Sequence, residues 1–184
     1  MQGAEHLWSH RPAVFTINHQ SGLDALIIQK LLRQGFSGVA KKELARVPVI
    51  GQVFRVADVA FVDRGSGSVA KAQETLAPAV ERLREGLSLV IAPEGTRSAT
   101  PRLGPFKKGA FHIAMQAQVP IVPIVIRNAG EVAWRTSLTV RPGTVEVVVH
   151  PPIPTTRWST KTLDKHVAAV RQLYVDTLDD WPER

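Results

Sequence analysis

Three short stretches of this chain are apolar almost without interruption: Ala13–Ile17, Leu87–Ala92 and Ile121–Ile126. A strand with one face in water alternates polar and apolar residues, whereas a near-continuous apolar run of this length reads as a strand covered on both faces. Helical patterns separate these runs. Leu23–Arg33 places Leu23, Leu26, Ile27 and Leu31 at helical spacing, with Gly35 as a suitable residue beyond the helix end. Val69–Glu85 is helical by pattern, Pro78 is expected to kink it, and Gly86 ends it. Lys108–Gln118 and Thr160–Leu178 read as two further helices, while Ser37–Ala40, Ala60–Val62 and Val145–Val149 read as short strands. Alternating strands and helices with doubly covered strands predict an α/β fold: a mixed, mostly parallel central sheet with helices on both faces. Val145–Val149 is the strand expected to run antiparallel. The 184 residues suffice for a single domain over 1–184.

This layout directs attention to the loops. In open α/β sheets, ligands bind in the crevice beyond the carboxyl ends of the strands. The reactive residue types lie there: His19 after the first predicted strand, Lys41 after the second, Asp63 and Arg64 after the third, and Glu94 to Arg97 after the fourth.

Composition narrows the chemistry. The chain has no cysteine, which removes disulfides, thiolate metal sites and a cysteine nucleophile together. The net charge is +7, which suits an anionic partner such as a phosphate ligand, an anionic membrane or a nucleic acid. The charge is uneven: between Glu94 and Glu131 every charged residue is basic, namely Arg97, Arg102, Lys107, Lys108 and Arg127. No apolar run approaches the ~20 residues that span a bilayer; the longest, Val119–Ile126, is interrupted by two prolines. A signal-peptide pattern is absent.

Three motifs carry reactive groups. In Asn18-His19-Gln20-Ser21-Gly22-Leu23-Asp24, a strand–turn–helix junction can bring His19 and Asp24 together, and a carboxylate on one ring nitrogen holds a histidine in one tautomer as a general base. Ser21-x-x-Asp24 is equally a capping box, in which the acid satisfies a backbone N–H. In Phe61-Val62-Asp63-Arg64-Gly65, the arginine could grip a phosphate through its planar fork, or pair with Asp63 in a surface turn. Ala92-Pro93-Glu94-Gly95-Thr96-Arg97-Ser98 is turn chemistry after a buried strand; Gly95 permits close backbone approach and Arg97 offers a second phosphate contact. A fourth block, Val119–Ile124, carries no reactive group and reads as core.

Other patterns fall short. Gly65–Ala70 fits the dinucleotide-binding G-x-G-x-x-A, but the acidic residue expected at the end of a second strand is missing. Gly104 to Gly109 has phosphate-loop spacing without the required Lys-Ser/Thr. Neither a Gly-x-Ser-x-Gly elbow nor a His-Glu-x-x-His zinc motif occurs. Charge alone would also suit a nucleic-acid-binding module, but aromatic residues are only 6% and do not interleave with the basic ones.

In order and spacing, the blocks resemble the glycerolipid acyltransferase family, which includes the 1-acylglycerol-3-phosphate and glycerol-3-phosphate acyltransferases. N-H-x-S-x-x-D stands at Asn18–Asp24, F-V-x-R at Phe61–Arg64, P-E-G-T-R-S at Pro93–Ser98 and V-P-I-V-P-I at Val119–Ile124. Two accessory stretches also resemble the family: Lys41-Lys42-Glu43-Leu44, followed by Pro48 and Gly51, and Phe106-Lys107-Lys108-Gly109. The resemblance covers roughly residues 13 to 150. Ala92 departs from it, standing where an aromatic residue is common, with a consequence expected for the shape of the acyl pocket.

The resemblance implies direct acyl transfer from a thioester of coenzyme A or acyl carrier protein, with no other cofactor and no metal. The implied acceptor is a lysophospholipid, first 1-acylglycerol-3-phosphate giving phosphatidic acid, with glycerol-3-phosphate or another lysophospholipid as alternatives. His19 is then the general base and Asp24 its partner, while Lys41, Arg64, Glu94, Gly95, Thr96 and Arg97 hold the phosphate and glycerol of the acceptor. Work on such a substrate implies peripheral attachment to the cytoplasmic face of a membrane and no nucleic-acid partner. Apolar Val47–Phe54 could line an acyl groove or simply pack in the core. Family members usually carry anchoring helices before the histidine. Only 18 residues precede His19, so a longer parent polypeptide is expected.

Overall fold

The computed structural model describes residues 1–41, 46, 60–62, 69–97, 100, 102–134 and 139–179. Six strands form one sheet in the order β3-β2-β4-β1-β5-β6. They are β1 (Val14–Ile17), β2 (Phe36–Lys41), β3 (Ala60–Val62), β4 (Ser88–Ile91), β5 (Ile121–Ile126) and β6 (Val147–Val149). All pairings are parallel except β5 with β6, which is antiparallel as expected. The helices are α1 (Asp24–Leu32), α2 (Val69–Arg84), α3 (Gly109–Ala117), α4 (Ala129–Val132) and α5 (Leu163–Asp179), preceded by a 3₁₀ turn over Ala4–Leu7.

The near-continuous apolar runs are explained by two cores, one on each face of the sheet. Phe15 and Ile17 of β1, with Val122, Ile124 and Ile126 of β5, pack against Leu7 and against Ile28 and Leu32 of α1. The alternate residues Val14, Ile121 and Val125 join Leu83 of α2, Phe111 of α3, and Val170 and Tyr174 of α5. Each face must be apolar, so both parities of the strand must be. Full burial of a side chain such as Phe15, Phe111 or Leu83 contributes about 1.5–3 kcal/mol.

Helix α1 differs from its expected orientation. Leu26 lies 68% exposed, and the buried stripe is Asp24, Ile28 and Leu32, an i, i+4, i+8 series. The burial of Asp24 turns the helix so that its own row faces inward, and Leu26 consequently faces out. Pro78 lies inside α2 at an exposed position, where its missing N–H falls on the solvent side. The short α4 was not predicted, because four residues are too few to display a helical period.

Helix α5 is tied to the central strand by the only tyrosine of the chain. The Tyr174 hydroxyl donates to the Thr16 carbonyl at 2.6 Å and lies 2.9 Å from the Thr16 hydroxyl. Burial raises its pKa well above the ordinary 10.0, helped by the Glu94 carboxylate and opposed by hydrogen bonds to Thr16 and the Ile124 backbone. Below about pH 10 both folded and unfolded chains keep the phenol neutral, so there is no pH-dependent contribution there. Above it the unfolded chain loses a proton that the folded chain retains, and stability falls by ~1.4 kcal/mol per pH unit from this group. Tyr174→Phe is expected to cost about 1–2 kcal/mol at neutral pH and to remove this component of the alkaline slope. Chemical denaturation of both proteins from neutral to alkaline pH measures it, and parallel alkaline slopes would refute it.

Candidate active site

Strand β1 lies between β4 and β5, so the turn that follows it can be held from both sides, and it is. The Asn18 side chain, 1% exposed, continues the ladder beyond the strand: its Nδ2 donates to the Ile126 carbonyl at 2.7 Å, and its Oδ1 accepts from the Ile126 N–H at 2.7 Å. The Ser21 hydroxyl donates to the Ala133 carbonyl just beyond α4 and accepts from the Leu23 N–H at 3.1 Å. From the β4 side, Glu94 Oε1 accepts from the His19 N–H at 2.9 Å.

The buried end of this turn is the Asp24 carboxylate, 1% exposed. Its Oδ2 lies 2.7 Å from His19 Nδ1 and accepts the backbone N–H groups of Gln20 and Ser21, each at 2.9 Å. One oxygen therefore meets the ring and also accepts the Ser21 N–H, which is the acid's half of a capping box. Backbone N–H groups can only donate, so this oxygen acts as an acceptor and His19 Nδ1 is the protonated ring nitrogen. Nε2 then carries the lone pair, on a side chain 31% exposed, which is the tautomer a general base needs. Asp24 Oδ1 is buried without a hydrogen-bond partner among the described residues. An imidazolium on the same carboxylate would offset part of that unmet demand.

Glu94, expected to line the acceptor site, has its side chain turned inward against the backbone. It is 6% exposed, and both oxygens hold backbone: Oε1 the His19 N–H, Oε2 the Gly104 N–H at 2.9 Å. With one backbone N–H on each oxygen, the carboxylate ties the His19 turn to the Gly104 segment. Gly104 allows the approach, since a Cβ there would sit 3.1 Å from Oε2. Gly95 has φ 78°, a left-handed conformation that favours glycine, and its N–H donates to the Ala92 carbonyl at 3.0 Å. Beyond it, Thr96 and Arg97 are exposed.

Two cavities adjoin these loops. One, of about 590 Å³, is lined by Gln20, Arg102, Leu103, Arg127, Trp134 and Arg171 among others. The second, of about 210 Å³, lies beside Gly95 and is walled by Val39, Leu76, Ile91, Ala92 and Ile113. The structure thus brings His19, Asp24 and Glu94 into one hydrogen-bonded unit, with Gly95 to Arg97 leading outward from it. Arg64, Val47–Phe54, Gly65 to Ser68, Ser98 and the side chain of Lys41 lie outside the described residues.

The acyltransferase family profile matches residues 1–127. The chain belongs to the acyltransferase family. It is 40% identical over 182 residues to a 1-acyl-sn-glycerol-3-phosphate acyltransferase of Cocos nucifera, covering 98% of this chain and 58% of that protein. It is 34% identical over 181 residues to the protein of that name from Saccharomyces cerevisiae, covering 97% and 59%. The crystal structure of the 1-acyl-sn-glycerophosphate acyltransferase from Thermotoga maritima superposes with a TM-score of 0.78 at 27% identity, over 100% of this chain and 73% of that one. The chain spans about three-fifths of the length of the plant and yeast relatives.

In this acyltransferase fold, the motif blocks alone did not reveal the contacts of Asn18, of Gly104, or of Arg171, whose guanidinium donates to the Leu103 and Gly104 carbonyls at 3.0 and 3.1 Å. Asn18 carried a usable signal, a polar amide closing an apolar strand. Gly104 and Arg171 had none, because their contacts join segments far apart in sequence. The hub itself is open to test through stability. Asp24→Ala deprives the Gln20 and Ser21 N–H groups of their acceptor, and is expected to lower unfolding free energy by at least about 2 kcal/mol. An unchanged denaturation midpoint would show that the carboxylate does not hold the turn.

Proposed function

We propose that this chain carries an acyl-transfer centre that moves a fatty acyl group from a coenzyme A or carrier-protein thioester to the hydroxyl of 1-acylglycerol-3-phosphate, giving phosphatidic acid. The observation that carries the reading is the 2.7 Å contact between His19 Nδ1 and Asp24 Oδ2, which leaves Nε2 as base at the carboxyl edge of the sheet. The names of the plant and yeast relatives support the choice of acceptor.

In this reading His19 Nε2 removes the hydroxyl proton as the acceptor oxygen attacks the thioester carbonyl carbon. The resulting imidazolium is stabilised by Asp24. The tetrahedral intermediate then collapses, the carbon–sulfur bond breaks, and the departing sulfur takes the proton back from Nε2. An ester and a free thiol result, and the ring regains its starting tautomer. No acyl-enzyme is needed, in keeping with a chain that has no cysteine. Arg97, with Arg64 and Lys41, supplies the positive charge for the acceptor phosphate, and Gly95 and Thr96 shape the approach. The apolar cavity beside Gly95 suits the acyl chain.

The acceptor's own chain gains about 0.8 kcal/mol per buried CH₂ in a bilayer, so the reaction belongs at a membrane surface. No helix among the described residues is long and apolar enough to cross a membrane. Peripheral contact from the cytoplasmic side is the arrangement we favour, through exposed Arg102 and Lys107. Lys108 contributes less, because its ammonium is paired with Asp164 of α5.

His19→Ala should lower kcat by ~10²–10⁴, measured with a labelled acyl thioester and a panel of acceptors in mixed micelles, products resolved by mass. Activity within about tenfold of the parent would be too high for a lost general base. Arg97→Ala and Arg64→Ala should each raise KM for the phosphate acceptor by roughly tenfold or more, the worth of a charge-assisted hydrogen bond, and leave the donor KM nearly unchanged. An unaltered acceptor KM would remove that arginine from the site.

A further inference from the structure

Arg171 lies in α5, beyond the residues matched by the family profile. Its guanidinium straddles the long segment between β4 and α3: Nε donates to the Gly104 carbonyl at 3.1 Å and a terminal nitrogen donates to the Leu103 carbonyl at 3.0 Å. The Leu103 carbonyl and the Gly104 N–H belong to one peptide group. That N–H donates to Glu94 Oε2 at 2.9 Å, while Glu94 Oε1 accepts from the His19 N–H at 2.9 Å. A guanidinium and a carboxylate are therefore bridged end to end by a single peptide, whose C=O faces the positive charge and whose N–H faces the negative one.

We propose that Arg171 is a positioning residue for His19, acting through the Leu103–Gly104 peptide and Glu94. This rests on the reading of His19 as the general base. The segment around Leu103 has no helix or strand to fix it, so its placement depends on tertiary hydrogen bonds. Two donors from one planar group, set on the carbonyls of the successive residues Leu103 and Gly104, fix the path of the backbone there in a way a single point donor does not. The chain is also cooperative: a cation on the carbonyl polarises the peptide and strengthens its N–H as a donor to the carboxylate. Without Arg171 the peptide is free to rotate, and buried Glu94 loses one of its two donors. The latch on the His19 backbone then loosens, although every residue of the recognised motifs is still present. Displacement of a reacting group by about 1 Å costs on the order of 10²-fold in rate.

The experiment compares Arg171→Met, which keeps the length of the stem and removes the donors, with Arg171→Lys, Glu94→Gln and His19→Ala in the full chain. Steady-state kinetics are read beside the downfield Nδ1–H proton resonance of His19 in histidine-labelled protein, assigned by its loss in His19→Ala. Arg171→Met is expected to lower kcat roughly ten- to hundredfold, with both KM values within threefold, and to shift or broaden that resonance; Arg171→Lys should recover part of both. Glu94→Gln, which can accept only one of the two N–H groups, should give the same pattern, and Arg171→Lys, which leaves a single point donor, supplies the answer if Arg171→Met does not fold, with an intermediate loss expected in both readouts. An unmoved resonance with kcat within twofold of the parent overturns the proposal. So does a raised KM at unchanged kcat, which would make Arg171 a ligand contact in the 590 Å³ cavity it lines. If His19→Ala stays active while Arg171→Met still moves the resonance, the general-base reading fails and the relay stands. If His19→Ala is inactive and Arg171→Met is indistinguishable from the parent, the relay alone fails.

Discussion

The carboxylate of Asp24 is the constraint on which the rest of the site depends. Burying an ionised carboxyl costs several kcal/mol unless it is paired and hydrogen-bonded, and here three donors converge on one oxygen, Oδ2. Asp24 is also the first residue of α1, so the charge sits at the positive end of the helix dipole. The residue therefore acts on two scales. Locally it selects the tautomer of His19 and closes the turn. Over the length of the helix it fixes which row faces inward, and Ile28 and Leu32 follow it into the core.

A histidine held only by its ring partner would still swing with its loop. The parallel sheet prevents this by placing β1 between β4 and β5, whose carboxyl ends emerge on the same edge. Asn18 is anchored on the β5 side through its side-chain amide, and His19 on the β4 side through its main-chain N–H. Consecutive residues of one turn thus report to different elements, and the turn cannot move unless those elements do. Helix α5 adds a further brace from the opposite layer, through Tyr174 on β1 and Arg171 on the Leu103–Gly104 peptide.

Most of this architecture was legible in the sequence because it is written in local patterns. Doubly apolar strands announced a covered sheet, and the antiparallel last strand was anticipated. The pairing of His19 with Asp24 could be anticipated because five residues across a strand–turn–helix junction leave few other geometries. What stayed hidden is what local pattern cannot encode. Leu26 satisfies the helical period as well as Ile28 does, and only the burial of Asp24 decides between them. Glu94 read as a pocket residue because it follows a buried strand; its inward direction depends on Gly104, ten positions away, and on a backbone N–H that no side-chain motif displays. Arg171 lies in a helix whose sequence signal concerns amphipathicity alone.

The Glu-Gly-Thr-Arg segment shows why such a short motif holds its order. Two carboxylates, Asp24 and Glu94, flank one histidine, one on the ring and one on its backbone. Both favour a transient positive charge on the imidazole, and both would repel a phosphate brought close to them. In the proposed reaction an acceptor phosphate would be held away from this acidic floor while its hydroxyl is brought to Nε2. Gly95 provides the separation: its left-handed backbone lets the chain reverse direction within one residue, so that Glu94 points down into the scaffold and Arg97 emerges at the exposed rim. A side chain at position 95 would strain that reversal.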